Sequence, residues 1–479
     1  MDSTSNARAR LQRIQKRRTL SRLLSLTAAS ALSIDSVSTP LVNDCPVLRT
    51  GQRRMSDLIG SNGWAGSPSD ICMWREMGIS WGRDSVGPGQ RNSPRDAIDV
   101  SKTGPGFDVD LPSCIRRNNE NGIRSLLLLG YTPVWNASVA GDSKSAPRDV
   151  KYWTNYVEAV VRKYSAAPYN VKHFQVWNEA AGRLSGGLPQ ATFWHGAGYS
   201  KDPRMSTVYD NAMQDYVDRI HLPAAAVIRA HKCFVVYGGW PDQGRVDSYV
   251  EWLEYRSASQ QTRMIDNVDY LDTHYLSCNE LDGLYARYVQ PRKVRGIWQT
   301  EIGDRYMLDP HFLPRYLFSF AVWALTREWN DPDKYVSMIY HWDGYDSFRL
   351  TRRGPPRTFN LPGRSLIVLS STVRGALSPF NGQITSSEDR NAAALYSDDS
   401  LIAMLSSAQE ETTVQIRETG KLATGTLTAS AIDALSGARS PAQVERRREG
   451  EIHVSYQASG PLGSGANKRL SYLVLRRKA

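Results

Sequence analysis

The chain has 479 residues, 41% hydrophobic and 22% charged, which is enough apolar material for a large core and excludes disordered and fibrous classes. Its net charge of +11 suggests nucleic acid only until it is divided. Residues 1–40 hold seven basic and two acidic residues and residues 363–479 hold 14 and 11, leaving +3 for residues 41–362, so the folded part lacks the basic stripe of a nucleic-acid groove and no such partner is expected.

In the N-terminal tail (1–38), Arg8, Arg10, Arg13, Lys16, Arg17, Arg18 and Arg22 precede a modest apolar stretch, Leu23–Leu32, with Ala29-Ser30-Ala31 inside it. A charged region, a short apolar region and a small-residue site describe a secretory signal. Arg17-Arg18-Thr19-Leu20 resembles a twin-arginine export motif, from which Lys16 and Ser21 depart. Export to a periplasmic or extracellular location is expected, with a disordered basic extension on a cytoplasmic protein as the alternative. No later run approaches the ~18 apolar residues of a membrane span, so no stable membrane insertion is expected.

Residues 39–376 alternate short apolar runs with helical patterns. The candidate strands are Asp57–Trp64, Gly78–Arg83, Ile123–Leu129, His173–Trp177, Phe234–Gly238, Val268–Tyr275, Val294–Thr300 and Val336–Trp342. Between them, Trp153, Tyr156, Val157, Val160, Val161 and Tyr164 follow the spacing of a one-faced helix. Phe312–Trp329 is apolar nearly all round, as a helix wedged between neighbours is, and residues 365–376 fit the eighth helix. Eight strand–helix steps in order predict a closed (β/α)8 barrel.

Residues 377–479 change character. Short alternating runs such as Leu401–Leu405, Thr412–Ile416, Ile452–Tyr456 and Tyr472–Leu475 are separated by Gly, Ser and Asp, which predicts a small antiparallel β-sandwich domain. The segment 39–50 is expected to lend it a strand. The five cysteines are widely spaced and odd in number, with no C-x-x-C. They read as buried small side chains, a single Cys45–Cys72 bridge being the alternative.

Chemistry in such a barrel sits at the C-terminal ends of the strands. The fourth strand ends in Trp177-Asn178-Glu179 and the seventh in Gln299-Thr300-Glu301. The second ends in Arg83, the sixth in His274-Tyr275 and the eighth in His341-Trp342. A single Glu after a strand is ordinarily a solvated or capping residue. Two delivered to one mouth are what glycosidic-bond hydrolysis needs, one to protonate the leaving oxygen and one to attack the sugar carbon.

On these residues the chain resembles a clan A glycoside hydrolase over about residues 56–376, nearest family 39 in its barrel-plus-sandwich layout. The resemblance implies a retaining mechanism with Glu179 as general acid/base, Glu301 as nucleophile and Asn178 on the sugar 2-hydroxyl. Arg83 is the candidate cation to hold Glu301 ionised, and burial against Trp177 or Tyr131 would keep Glu179 protonated. Relatives often carry His-x-Tyr on strand six. Here His274 and Tyr275 are adjacent, which leaves open which of them points inward. Ala180 also stands where many relatives have proline.

Carbohydrate is thus the expected partner, contacted by Asn178, Arg83, His274, Tyr275, Trp342, His195 and Tyr131. No metal-ligand spacing or phosphate loop is visible, and no cofactor is expected. Of the 13 tryptophans, Trp64, Trp81, Trp135, Trp177, Trp240, Trp298 and Trp342 fall in or just beyond seven of the eight strands. Indole faces bind the CH faces of pyranose rings, so they suggest a sugar cleft, with some in the core and Trp298 foremost among those. The expected activity is hydrolysis of a β-linked oligo- or polysaccharide. A catalytically silent carbohydrate-binding protein on the same scaffold is the rival reading.

Overall fold

Eight short parallel strands close on one another in chain order. They are β1 (Ile59–Asn62), β2 (Trp81–Val86), β3 (Arg124–Leu129), β4 (His173–Val176), β5 (Phe234–Tyr237), β6 (Tyr270–His274), β7 (Gly296–Glu301) and β8 (Tyr335–Met338), with β8 paired back onto β1. The computed structural model describes residues 53–87, 98, 100, 110–180, 194–195, 209–238, 246–302, 309–327, 329, 335–338, 349–352, 357–389, 392–463 and 468–478. The tail and the segment 39–50 lie outside the described residues, as do Trp240, His341 and Trp342.

All eight strands fall on expected positions, with shifted ends. β2 is displaced by three residues at both ends and starts at Trp81 because Gly78, at φ +76°, first turns the chain out of the helix Pro68–Glu76. β3 shows why these runs are so apolar: Ser125–Leu129 are all buried, as strands covered on both faces must be. Outside the barrel, the helix Val150–Ser165 buries the expected stripe of Trp153, Tyr156, Val157, Val160, Val161 and Tyr164. Asp149 caps it by accepting from the Lys151 amide at 2.8 Å. The last barrel helix is Leu361–Thr372, four residues earlier than 365–376, since Pro362 fits a first turn that needs no N–H.

After a two-strand hairpin, β9 (Thr351–Arg352) and β10 (Thr358–Phe359), the chain builds an antiparallel sheet. Its strands are β11 (Leu377–Pro379), β12 (Gln383–Ser386), β13 (Ala393–Ser397), β14 (Ser400–Ser407), β15 (Glu411–Arg417), β16 (Leu427–Asp433), β17 (Arg439–Arg448), β18 (Glu451–Gln457) and β19 (Arg469–Arg477). The spatial order is β11-β13-β14-β19-β16-β17-β18-β15-β12. Leu401, Ala403 and Leu405 of β14 share a core with Val414 and Ile416 of β15 and with Ile452 and Val454 of β18. Strands far apart in the order therefore face each other, and the sheet curls into the expected sandwich.

The alternate residues of β14, Ile402 and Met404, turn to the other face. There they join Leu470, Tyr472 and the barrel helix Phe312–Leu325 in one continuous core. Phe318 of that helix lies 5.7 Å from Tyr472, centroid to centroid. This is why the helix is apolar nearly all round: the barrel covers one side and the sandwich the other. Just ahead of β1, Arg53 forms an isolated bridge with Leu377. Cys114 and Cys233 are buried as expected, but Cys72 is exposed on the outer face of its helix. Among the described residues, no helix is long and apolar enough to cross a membrane.

Candidate active site

The barrel interior changes from apolar to polar along the strands. At the lower level Trp81, Leu126, Val236, Tyr270 and Trp298 form a closed cluster. Trp81 meets Trp298 edge-on at 4.9 Å and His173 at 5.3 Å. Burial and the nearby cations Arg124 and Arg295 hold His173 well below the usual imidazole range, so it is neutral. These indoles are therefore core. Trp177 is core as well: at φ +67° it swings out of the barrel and packs against Tyr131, Trp153 and Trp194. Trp298 is core as expected, while the expectation of a tryptophan ring around a cleft is overturned for Trp81 and Trp177; all three are 0% exposed and have no face for a sugar.

Two residues beyond Trp81, on the same inward face, Arg83 spans the mouth. It donates from Nη1 to Glu301 Oε1 at 3.1 Å and to Asn62 Oδ1 at 2.9 Å. It also donates from Nε to Gln175 Oε1 at 2.8 Å and from Nη2 to Asn178 Oδ1 at 2.6 Å. Burial opposes its charge, but Glu301 and Asp272 outweigh burial and raise its pKa further. Asn178, expected on a sugar hydroxyl, is itself held: Oδ1 faces Arg83 and Gln175 Nε2, and its side chain hydrogen-bonds Tyr131. Burial raises the Tyr131 hydroxyl far above its ordinary range, so it stays protonated.

Strand six settles which of its two residues turns inward: both do. The β6–β7 register slips between Thr273 and His274, and Tyr275 takes φ +59°. The slip and the turn bring consecutive side chains to one place. Tyr275 donates to Glu301 Oε2 at 3.0 Å, and His274 Nδ1 lies 3.0 Å from Glu179 Oε1 and 3.4 Å from Glu301 Oε2. Glu179 reaches its position through a backbone at φ +47°. Trp177, Glu179 and Tyr275 are non-glycine residues in the left-handed region, conformations that the surrounding packing must enforce.

An oxygen of Glu179, an oxygen of Glu301 and a ring nitrogen of His274 all lie within 4.8 Å of one another. Read as a metal donor set, this trio would place a divalent ion against the Arg83 guanidinium. The distances are instead those of hydrogen bonds, with Arg83 and a protonated His274 balancing the carboxylates. Burial works against charge on His274, but Glu301, Asp272 and Glu179 together raise its pKa to about 10. With 1% exposure His274 has almost no surface for a substrate, in contrast to its expected binding role.

His195 sits apart from the trio. Its Nδ1 is 2.6 Å from Asp142 Oδ2 and its amide donates to Lys144 O at 2.7 Å, so it ties the chain after β4 to the loop after β3. Sequence reading missed four members of the site, namely Asn62, Gln175, Asp272 and Thr300. Asp272 and Gln175 each precede a noted residue by two, the strand period, and that was the available signal.

Compared by sequence, the chain matches no family model and no curated protein. Compared by structure, it is similar to a GH30 endoxylanase from Clostridium papyrosolvens C71, with TM-score 0.52 and 13% identity over 88% of this chain and 97% of that chain. It is also similar to a family 30 subfamily 8 xylanase from Clostridium acetobutylicum, with TM-score 0.54 and 12% identity over 89% and 97%. A family 39 glycoside hydrolase from Bacteroides cellulosilyticus WH2 is a looser likeness, at TM-score 0.48 and 12% identity over 88% and 82%. At such identities the likeness is one of fold, and at that level the barrel-plus-sandwich layout expected of a clan A glycoside hydrolase is borne out.

Proposed function

We propose that the chain is a retaining O-glycoside hydrolase that cleaves β-glycosidic bonds in an oligo- or polysaccharide by double displacement. The observation that carries this reading is the pair Glu179 and Glu301 at the barrel mouth, with oxygens within 4.8 Å. Retention calls for carboxyl groups about 5–5.5 Å apart, whereas inversion leaves about 6.5–9.5 Å for a water.

The surroundings of the two carboxyls support a division of labour. Glu301 accepts from the buried Arg83 and from Tyr275, which favours the ionised form a nucleophile needs. Glu179 faces His274 across 3.0 Å, a partner with which it can exchange a proton. Glu301 attacks the anomeric carbon as Glu179 protonates the departing oxygen. In the second half Glu179 takes a proton from water, which attacks the same carbon and releases Glu301. The half-buried Tyr131 and the buried Asn178 line the same mouth. The basic tail fits an exported enzyme acting on such a substrate.

The test is to incubate the protein with aryl β-glycosides and β-glycans and to follow the first product by proton NMR. A β-anomer appearing first supports double displacement, and an α-anomer appearing first sinks it. Sugar binding with no cleavage across the panel would favour the carbohydrate-binding alternative.

A further inference from the structure

Behind the two carboxyls lies a second layer of buried polar groups. Asp272, fully buried on β6, accepts from Thr300 Oγ1 at 2.7 Å through Oδ1, while its Oδ2 faces His274 Nε2 at 3.7 Å. Thr300, equally buried on β7, lies 3.0 Å from that same nitrogen. A hydroxyl has one proton, and Thr300 directs it to Asp272. It can then only accept from His274, which fixes Nε2 as a donor.

That assignment dictates the chemistry on the other side of the ring. Nδ1 points at Glu179 Oε1 and Glu301 Oε2. A bare lone pair there would oppose two carboxylates, so a proton must lie between Nδ1 and Glu179, on one or the other. We propose that Asp272 is a positioning residue that acts through Thr300 to aim His274 Nδ1 at Glu179, so that His274 and Glu179 hold the acid proton jointly. The proposal deepens the hydrolase reading and rests on it.

In the first step the one shared proton passes from Nδ1 through Glu179 to the departing oxygen as the carbon–oxygen bond breaks, which leaves His274 neutral and Glu179 ionised to act as the base. Glu301 loses its negative charge on forming the ester, so His274 gives up its proton more readily at that moment. In the second step the proton removed from water returns to the pair. The groups that face His274 are Glu179 beyond β4, Glu301 on β7, Asp272 on its own strand and Tyr275 just past that strand's end, with Arg83 of β2 reached through Glu301. Asp272 Oδ2 is buried with no hydrogen-bond partner, so its charge is answered by His274 at 3.7 Å and by Arg83. The raised pKa of His274 has the sign this requires.

The test compares the wild type with Asp272→Asn, Thr300→Val and Thr300→Ser in metal-free buffer. His274 is titrated by nitrogen-15 NMR, and the pH profile of kcat/KM is measured on an aryl glycoside. Losing the Asp272 charge or the Thr300 hydroxyl should lower the His274 pKa by about one unit or more, and the alkaline limb of kcat/KM should move down with it. Activity one pH unit above the wild-type limb then falls about tenfold further than activity below it. Thr300→Ser, which keeps the hydroxyl, should titrate as the wild type does. An unmoved His274 titration in folded Asp272→Asn and Thr300→Val overturns the proposal, as does an equal loss of kcat/KM at every pH. If Asp272→Asn fails to fold, Thr300→Val decides. If the wild type cleaves nothing, the hydrolase reading fails, and the NMR titration still decides whether Asp272 governs His274.

Discussion

Arg83 on β2 and Glu301 on β7 form an ion pair across the barrel mouth at 3.1 Å, both nearly closed to solvent. Such a pair persists only when its remaining donors and acceptors are satisfied, because desolvation otherwise outweighs attraction. Arg83 meets that condition through Asn62, Gln175 and Asn178. One side chain thereby fixes groups from β1, β4 and β7 together. Arg83→Met should leave Glu301 buried without its cation and cost about 3–5 kcal/mol of stability. Arg83→Lys keeps charge but loses the planar fork, so it should be milder in stability while still freeing Asn178. Urea unfolding and kcat/KM of both variants check this; equal stability of wild type and Arg83→Met would refute it.

The roles of the two glutamates should separate chemically. With Glu301 as the proposed nucleophile, Glu301→Ala should stop hydrolysis and azide should restore turnover as a glycosyl azide of inverted configuration. Glu179→Ala should lose about 10²–10⁴-fold on poor leaving groups, and azide should there give the retained product. Product configuration by NMR is the readout, and the same anomer from both variants would contradict the assignment.

Stability should decline on both sides of neutrality, from two different histidines. His274 has its pKa raised to about 10, so the folded state holds a proton there that the unfolded chain releases above about 6.5. Its contribution is complete below that value and is lost as pH rises through about 10. His221 is the opposite case: burial lowers it to about 4, while its Nε2–H is placed to donate to Asn267 O. Between about 6.5 and 4 the unfolded state binds the extra proton, so this part is lost as pH falls. Unfolding free energies measured across pH 4–10.5 should show both arms. His274→Gln should flatten the alkaline arm alone.

Gly238 follows β5 where the chain crosses the end of β4. A Cβ there would overlap the Val176 carbonyl oxygen and press on the Trp177 carbonyl carbon. Gly238→Ala should therefore destabilise by about 1–3 kcal/mol. It should also lower kcat more than it raises KM, because the displaced segment carries Asn178 and Glu179. Thermal melting together with steady-state kinetics tests it; a normal melting temperature would show that the strand ends yield freely.

The barrel was legible because each strand is a short apolar run and each helix a clear stripe, and these are period signals that need no partner to be seen. Glu179 and Glu301 were legible for the same reason, since strand ends mark the mouth. What escaped depends on contacts between strands. The slip at Thr273 and His274 breaks the alternation that would have sent Tyr275 outward. Asp272 and Thr300 look like ordinary strand residues until His274 is placed between them. The tryptophans other than Trp298 misled in the other direction: an indole is equally suited to a sugar face and to a barrel floor, and only the contacts of Trp81 and Trp177 distinguish the two.

The continuous core that joins β14, β16 and β19 to the helix Phe312–Leu325 has a consequence for how this molecule can be taken apart. A boundary drawn at residue 376 separates two topologies, yet Ile402, Met404, Ile432, Leu470 and Tyr472 serve as apolar lining for the barrel half. The sandwich is thus closer to a wall of the barrel than to an attachment on it. Swapping it for a foreign accessory module would strip that wall away, and a graft would have to bring its own apolar lining to match.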